Sequence, residues 1–299
     1  MNREHPPIPP VLVLLIAVSA MSWAGPLVKF ATAPPPVVSA WRLVISVALI
    51  ALVLALRRTS LSSFRLSRGD WSLAIVAGVL LAVHFWAWIA SLRLTTVASS
   101  VVLVDMQPIF VATFSALLLH ERATARQWTG IVIACAGAAV IGLSDAGSAE
   151  QPRDAVLGDL LALAGAVFVS GYYVIGRGLR QRLDLWVYIA IVYGIAAAVL
   201  VLAVAIDPQT DLTGYPARDW WIFAALAAGP MMLGHTGVNY ALRYVPAYVA
   251  NIAIMAEPIG ATIIAWALPA LREVPSSGML VGAVLILGGI FLGSSWRKP

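Results

Sequence analysis

Long apolar runs that follow one another along the whole chain constrain this sequence more than any other feature. A helix needs roughly 20 mostly apolar residues to cross a bilayer. Ten runs are close to that length, and they cover residues 10–30, 36–56, 71–92, 96–118, 125–143, 157–178, 185–206, 219–242, 247–269 and 276–295. Hydrophobic residues make up 61% of the chain and charged residues 11%, more apolar side chain than a soluble core of this size could enclose. We therefore predict an all-α integral membrane protein with ten transmembrane helices.

Two local signals mark helix boundaries. The prolines at positions 34–36 separate the first two runs, because proline cannot continue a helix. Thr124 and Gln127, at the start of the fifth run, have the spacing of a capping box, in which each side chain satisfies free backbone N–H groups at the helix start. A helix is therefore predicted to begin close to residue 125.

The basic residues predict which ends of the helices face the cytoplasm. If the N-terminus is cytoplasmic, thirteen Lys and Arg side chains lie on that side: Arg3, Arg57, Arg58, Arg65, Arg68, Arg122, Arg126, Arg177, Arg180, Arg182, Arg243, Arg297 and Lys298. Five lie on the other side: Lys29, Arg93, Arg153, Arg218 and Arg272. Cytoplasmic loops are enriched in Lys and Arg, so both termini are predicted to be cytoplasmic. The same rule explains the net charge of +5 better than nucleic-acid binding does.

The two halves of the chain carry similar landmarks in the same order. Pro108-Ile109 lies 150 residues before Pro258-Ile259, and Lys29 lies 148 residues before Arg177. Each half contains five runs, an odd number, so the second half must enter the membrane from the opposite side. We therefore predict two inverted five-helix repeats, residues 1–145 and 157–299, joined by a linker at 146–156. Inverted repeats are common in secondary transporters, whose substrate site lies near the midplane between the halves.

Several short motifs resemble those of a known family. The residues that carry the resemblance in the first half are Trp41-Arg42-Leu43, Pro108-Ile109-Phe110, His120-Glu121-Arg122-Ala123-Thr124, Gln127, Gly130 and Gly137. In the second half they are Glu257-Pro258, Glu273, Gly282 and Gly289. These segments are similar to the second helix and the closing part of each half in EamA-type proteins of the drug/metabolite transporter superfamily, and the resemblance covers essentially the whole chain.

The resemblance implies ten helices in two five-helix repeats, a location in the bacterial cell (inner) membrane, and export of small metabolites such as amino acids. The sequence departs from the family pattern at Gln107, which stands where Glu257 stands in the second half. A pair of matching carboxylates is therefore not expected at these two positions. The resemblance does not identify the substrate.

Three charged residues, Arg42, Asp105 and Glu257, lie well inside the runs. Each costs roughly 2.5–3.5 kcal/mol at the centre of a span, so such residues normally face a cavity or a partner. In one interpretation they form a substrate site, where the planar guanidinium of Arg42 binds a carboxylate and the acids bind an amine. In the other, Arg42 forms a structural ion pair with one of the acids.

Six further side chains inside the runs complete the predicted substrate site: His84, His235, Asn239, Trp23, Trp88 and Tyr172. His84 shares a helical face with Trp88, and His235 with Asn239, because each pair is four residues apart. A histidine here either carries a coupled proton or is a buried hydrogen-bonding residue. The aromatic residues either form a wall for an apolar or cationic substrate or pack between helices and against lipid.

Prolines and small residues within the runs predict distorted helices and close helix packing. Each proline removes a backbone hydrogen bond, and the resulting kinks serve either as hinges or to curve a helix around a cavity; these prolines are Pro26, Pro108, Pro230 and Pro258. Gly130 and Gly137 match Gly282 and Gly289 at one constant offset, and the small-residue spacing of the fifth and tenth runs is typical of helix contacts. The contact is possible within one chain or between two, so monomer and homodimer both remain open.

These features favour a secondary transporter that exports small amphipathic or zwitterionic metabolites, such as amino acids or compounds derived from them, by alternating access. Its partners would be the small-molecule substrate, membrane lipid and, as one source of energy, a coupled proton. Exporters of cationic drugs or other metabolites are the alternative within the family, and an intramembrane enzyme acting on a lipid-linked substrate or a channel are the alternatives from other classes. The chain contains no H-E-x-x-H, G-x-S-x-G or P-loop motif, so neither an enzyme nor ATP-driven transport is expected. With one cysteine, Cys135, and no third imidazole near the histidines, no metal or other cofactor is expected.

Overall fold

The computed structural model describes residues 6–95, 97–146, 154–268 and 277–294, and the regular elements in these ranges are helices. In chain order the α-helices are α1 Pro10–Met21, α2 Ala24–Lys29, α3 Pro35–Leu56, α4 Arg68–Leu94, α5 Val97–Val104, α6 Gln107–Phe114, α7 Ala125–Ala146, α8 Ala155–Arg180, α9 Leu185–Ala205, α10 Ala217–Leu226, α11 Thr236–Ala241, α12 Ala247–Ile254, α13 Glu257–Ala267 and α14 Ser277–Gly293. A 3₁₀ turn covers Leu61–Phe64, and two π-helical segments cover Ser115–Leu119 and Ala227–His235. Residues 147–153, in the middle of the predicted linker, lie outside the described ranges, as do Arg272 and Glu273.

Eight helical stretches in the described part of the chain are long and apolar enough to cross a bilayer. They are Pro10–Lys29, Pro35–Leu56, Arg68–Leu94, Ser100–Leu119, Ala155–Arg180, Leu185–Ala205, Ala217–Ala241 and Ala247–Ile264. Large apolar side chains such as Leu56, Trp221 and Phe291 are exposed on the outside of the bundle, where lipid would cover them. The prediction of a multi-pass α-helical membrane protein is confirmed. The predicted fifth and tenth crossings correspond to two shorter apolar helices, Ala125–Ile141 and Ser277–Gly293, so a total of ten stays a prediction.

Each of the four prolines that were predicted to distort a helix coincides with a break or distortion of that helix. Proline lacks the N–H that would bond to the carbonyl four residues earlier. Pro108 and Pro258 are the second residues of α6 and α13, and the preceding helices α5 and α12 each end four residues before the proline. Pro26 follows the break between α1 and α2. Pro230 lies inside the π-helical segment Ala227–His235, a local adjustment by which membrane helices tolerate proline. The predicted distortions are confirmed.

Helix α7 begins at the predicted capping box. The backbone N–H of Thr124 donates to Gln127 Oε1 at 2.8 Å, and the backbone N–H of Gln127 donates to Thr124 Oγ1 at 3.3 Å. Both donors would otherwise lack a partner at the helix start. This prediction is confirmed as well.

Glycines bring α7 and α14 into backbone contact within one chain. A Cβ atom on Gly130 would lie 2.6 Å from the carbonyl oxygen of Gly289, and one on Gly137 would lie 2.7 Å from that of Gly282. Distances this short exclude any side chain, so only glycine permits the approach of the two helices. The structure therefore places the glycines of the two halves against each other within one chain.

The helices of the two halves pack in a twofold pattern. α8 packs along α4, and its counterpart α1 packs along the second π-helical segment and α11. α3 packs against α9, and α7 against α14, so equivalent helices of the two halves face each other. The main buried core consequently contains residues from both halves, and the interior of the molecule lies between them.

Polar contacts group the loops into two sets. In one set, Arg177 donates from Nη2 to Glu121 at 2.8 Å and from Nη1 to backbone carbonyls that follow α11. In the other, the buried carboxylate of Asp219 accepts hydrogen bonds from the backbone N–H groups of Thr32 and Ala33, at 2.9 and 2.8 Å. This grouping agrees with the predicted alternation of the loops, and the assignment of the first set to the cytoplasm stays a prediction.

Candidate functional site

A small buried cavity of about 40 Å³ lies where the broken helices meet α3 and α4. Its lining comes from both halves of the chain: Met21, Ala24, Arg42, His84, Phe85, Trp88, Val104, Asp105, Gln107, Val169, Tyr173, Pro230, His235 and Glu257. Six of the nine side chains predicted to bind substrate are in this lining: Arg42, His84, Trp88, Asp105, His235 and Glu257. All three charged residues from the interior of the runs therefore meet at one cavity.

Arg42 projects from α3 into the middle of the protein and is only 1% exposed. Its guanidinium carbon lies 4.0 Å from the centroid of the Phe85 ring, a cation–π contact. Nη2 faces the sulfur of Met231 at 3.9 Å. Nε and Nη1 have no hydrogen-bond partner within the described ranges. A buried guanidinium normally has all its N–H groups satisfied, so two donors at this cavity are available to a ligand.

The structural ion pair considered for Arg42 is absent from the described part of the chain, where salt bridges join other residues. Asp105 and Glu257 line the same cavity without bonding to the guanidinium. Asp105 is 2% exposed, and its Oδ2 atom has no donor among the described residues. A guanidinium and two carboxyl groups thus lie at the cavity, and among the described residues the guanidinium forms no ion pair with either carboxyl group.

The two acids lie at the breaks of the broken helices. Asp105 occupies the two-residue break between α5 and α6, and Gln107 is the first residue of α6. Glu257 is the first residue of α13, at the equivalent break in the second half. The Oε1 atom of Gln107 is buried without a donor in the described ranges. Because the breaks are fixed by Pro108 and Pro258, local sequence positions these polar groups at the cavity.

A pair of serines holds the two breaks in matching ways. Ser22, at the break between α1 and α2, shares its hydroxyl proton between a carbonyl oxygen of α1 at 2.9 Å and the backbone carbonyl of Glu257 at 3.2 Å. Ser170, in α8, shares its hydroxyl proton between a carbonyl oxygen of α8 at 2.6 Å and the backbone carbonyl of Gln107 at 3.1 Å. The serines are 148 residues apart, the same offset that relates Lys29 to Arg177. Each half therefore supports the broken helix of the other half through one serine.

His84 and His235, from the third and eighth runs, approach each other at the cavity. Their ring centroids are 6.3 Å apart, and Phe85 lies beside both rings. His84 Nδ1 is 2.9 Å from the carbonyl oxygen of Gly165 and must donate its proton there, so Nε2 is the free acceptor in the neutral ring. His235 Nδ1 is 3.1 Å from the hydroxyl of Tyr173. His235 ends the π-helical segment, a feature that is frequent at functional sites.

Three predicted site residues lie away from the cavity lining. Tyr172 and Asn239 are fully buried beside it and hydrogen-bond to each other, and Asn239 Nδ2 also donates to the backbone carbonyl of His235 at 2.7 Å. They therefore support the site from behind. Trp23 stands at the break between α1 and α2 and is 42% exposed. The structure does not bring Trp23 to the site.

Two aromatic side chains of the lining, Phe85 and Tyr173, were not among the nine predicted site residues. Phe85 stacks under Arg42, and Tyr173 bonds to His235. Tyr173 lies four residues after Val169, which also lines the cavity, but only the structure identifies Val169 as a lining residue, so the sequence held no signal that favours Tyr173 over Tyr172. Phe85 directly follows His84 and carries no separate signal, because the third run is apolar on every side.

Comparison with known proteins gives consistent results over the whole chain. Residues 9–143 and 156–295 each match the profile of the EamA-like transporter family. The chain is 26% identical over 289 residues to the pseudopaline exporter CntI of Pseudomonas aeruginosa, in strains UCBPP-PA14 and PAO1, which covers 96% of both chains. It is 23% identical over 262 residues to the uncharacterized transporter YyaM of Bacillus subtilis strain 168, which covers 86% of this chain and 83% of the relative.

One protein of known crystal structure has the same fold. It superimposes with a TM-score of 0.78 and covers 95% of this chain and 96% of its own, at 22% sequence identity. At that identity the likeness concerns the fold alone. The helical arrangement described above is therefore one that an experimentally solved protein also adopts.

Proposed function

The chain belongs to the EamA-like transporter family, and from this premise we propose that it exports a small zwitterionic metabolite, an amino acid or a compound derived from one, across the cytoplasmic membrane of a bacterium. The transporter would cross the membrane ten times as two inverted repeats, residues 1–145 and 157–299, with both termini in the cytoplasm. The name of the relative CntI, an exporter, supports the outward direction. Its cargo is not transferred to this chain at 26% identity.

The observation that carries the proposal is the pair of unpartnered donors on Arg42 at a cavity that also contains carboxyl groups. A zwitterion satisfies both signs at once, because its carboxylate accepts from the planar guanidinium and its ammonium donates to the acids. A neutral or singly charged solute would leave one set of buried groups without a partner, which costs free energy in a low-dielectric site.

Alternating access is supported by the size of the cavity and by the broken helices. A cavity of about 40 Å³ holds a few water molecules, whereas sites for small organic ligands are typically 300–1,000 Å³. The lining must therefore separate before a substrate enters. The breaks before Pro108 and Pro258 and the π-helical segment around Pro230 lie at the cavity, where they are suited to act as hinges.

A coupled proton fits the charges of the lining. Arg42 contributes one positive charge, whereas Asp105 and Glu257 contribute two negative charges when ionised. A zwitterion has no net charge, so one negative charge remains, and a proton on one of the acids would neutralise it. We therefore propose that an outwardly directed substrate exchanges with an inwardly directed proton, and dissipating the pH gradient across vesicles should slow transport.

Export of a cationic drug is the second candidate, favoured by the aromatic lining. Phe85, Trp88 and Tyr173 surround a cavity with two acids, and aromatic faces attract cations. The two candidates differ in the role of Arg42, because a cation without a carboxylate provides no acceptor for the guanidinium and is repelled by its charge.

Inside-out membrane vesicles test the proposal. Vesicles containing the full chain should take up at least one amino acid or amino-acid derivative from a metabolite panel in a saturable, gradient-dependent manner. Arg42→Gln and Asp105→Asn should each reduce this uptake about 100-fold, while membrane expression is unchanged. Arg126→Gln, at an exposed position in the first turn of α7, and Asp207→Asn, in the exposed loop after α9, are the matched controls and should transport normally. Absence of uptake for every solute would refute the exporter proposal, and normal uptake by both cavity variants would refute the site.

A further inference from the structure

The break between α5 and α6 presents two hydrogen-bond acceptors that nothing in the described ranges satisfies. They are Oδ2 of Asp105 and Oε1 of Gln107, two residues apart across the break. Both side chains line the cavity, and they are 2% and 5% exposed. Buried side-chain oxygens in proteins almost always have a donor. Two such oxygens in the lining of one cavity are free to accept hydrogen bonds from a bound ligand.

The unsatisfied donors of the same cavity belong to other residues. They are Nε and Nη1 of Arg42 and the indole Nε1 of Trp88. The cavity lining therefore carries donors without an acceptor as well as acceptors without a donor. Arg42 and Trp88 suit the carboxylate of a zwitterion, and this leaves Asp105 and Gln107 for its nitrogen.

We propose that Asp105 and Gln107 together select a substrate nitrogen that carries at least two N–H groups, a primary or secondary ammonium rather than a tertiary or quaternary one. The inference rests on the proposed function, since it names the chemistry of the substrate at the same site. A primary ammonium has three N–H groups and a secondary one has two, so both satisfy the two acceptors. A tertiary ammonium has one N–H and leaves one acceptor buried without a partner.

Gln107 is the specificity-determining residue in this arrangement. A carboxylate at its position, as at the equivalent Glu257, would attract any cation by charge, whether or not the cation has N–H groups. The neutral amide oxygen of Gln107 attracts a cation only weakly by charge, and it stabilises the complex only when an N–H group of the substrate donates a hydrogen bond to it. Each added methyl group leaves the charge of the ammonium unchanged and removes one N–H group, so we expect selection to depend on the number of N–H groups, and a variant at Gln107 separates this effect from that of the added volume.

A series of N-methylated amino acids measures this dependence directly. Alanine, leucine and phenylalanine, each with zero, one, two or three N-methyl groups, are titrated onto the purified full chain in lipid nanodiscs, and affinity is read from thermal unfolding. For each amino acid that binds, the first methyl group should change the affinity little. The second should lower it about tenfold or more, the effect of losing one hydrogen bond to a buried acceptor.

Two variants at Gln107 test which methyl group causes the drop in affinity. Gln107→Met removes one acceptor at nearly constant volume, so a single N–H then suffices and the drop should shift to the third methyl group. Gln107→Glu keeps two acceptors but adds a charge that attracts any cation, so the drop should stay at the second methyl group and become smaller. Gel filtration confirms that each variant is folded, and the wild-type series is informative without either of them.

Equal affinity across the methylated series would overturn the inference, and so would a drop that stays at the second methyl group in Gln107→Met. Failure of all three amino acids and their derivatives to bind would overturn it too. The vesicle panel separates that last result from failure of the exporter proposal, because it reports whether the chain transports any solute at all.

Discussion

Two regions of this protein use the repeat of the chain in different ways. In α7 and α14, Gly130 and Gly137 contact Gly289 and Gly282, so the two halves match in backbone and in side chain. In the broken helices α5–α6 and α12–α13, the backbone break, the proline and the supporting serine also match. The polar side chains there do not, because Asp105 and Gln107 correspond in position to Met255 and Glu257.

This difference shows which residues of the repeat hold the helices together and which residues line the cavity. Where two equivalent helices pack against each other, the same type of residue can form the contact on both helices, as the glycines of α7 and α14 do. A small substrate with an ammonium at one end and a carboxylate at the other is not symmetric, and a symmetric cavity would bind it poorly. The broken helices therefore keep the common backbone and differ where the substrate is contacted.

The largest effect should come from the acids at the two breaks. Asp105→Asn should reduce transport about 100-fold, because it removes a buried charged partner of the substrate ammonium. Glu257→Gln should reduce it about tenfold, since Glu257 is only partly buried and its effect is that of a weaker charged hydrogen bond. Uptake into inside-out vesicles measures both, with Asp207→Asn as the control. Equal losses in the two variants would show that the site is symmetric after all.

A glycine substitution tests the matched region. Gly289→Ala should lower the free energy of unfolding by about 1–3 kcal/mol, because the added methyl group collides with the backbone of α7. The neighbouring Gly288 has open space at the same point, so Gly288→Ala should be neutral or slightly stabilising. Thermal unfolding of both variants in nanodiscs makes the comparison. Similar stability of the two variants would contradict the close packing of α7 and α14.

The prolines should have equal effects in the two halves. Pro108→Ala and Pro258→Ala each restore a backbone N–H at a break, and the hydrogen bond it forms must break again when the helix bends. A bond of about 1 kcal/mol added to the barrier slows transport roughly five- to tenfold. Single-turnover uptake by each variant measures this rate. A normal rate in either variant would show that its break is not a hinge.

The smallest effect should come from the serine pair. Ser22→Ala and Ser170→Ala each remove a hydrogen bond to a break, worth about 1 kcal/mol, and should lower the midpoint of thermal unfolding by similar amounts. Ser72→Ala is the matched control, because Ser72 is exposed and its hydroxyl donates to a carbonyl of its own helix. A shift in only one of the two buried variants would mean that the halves are supported differently.

Helix positions could be predicted from the sequence much better than side-chain directions. Run length, proline and the pairing of Thr124 with Gln127 depend on local chemistry, and each is visible in the chain itself. A helix in lipid is apolar on every side, so periodicity does not reveal its inner face. Because the inner face was ambiguous, Tyr172 was predicted to bind substrate, whereas Tyr173 lines the cavity. For the same reason Trp23 was predicted to lie in the site, although the structure places it outside the lining. Charged residues were the exception, because their burial requires a cavity or a partner.

The central claim is that Arg42 binds the carboxylate of a zwitterionic substrate. The most direct test removes the guanidinium of Arg42, the carboxylate of the substrate, and then both groups together. The amino acid identified in the vesicle panel and the amine that results from its decarboxylation are titrated onto the wild-type chain and onto Arg42→Gln. The account predicts that the wild type binds the amino acid about 100-fold more tightly than the amine, and that Arg42→Gln binds the two with nearly equal affinity. A preference for the amino acid that is the same in both proteins would contradict it.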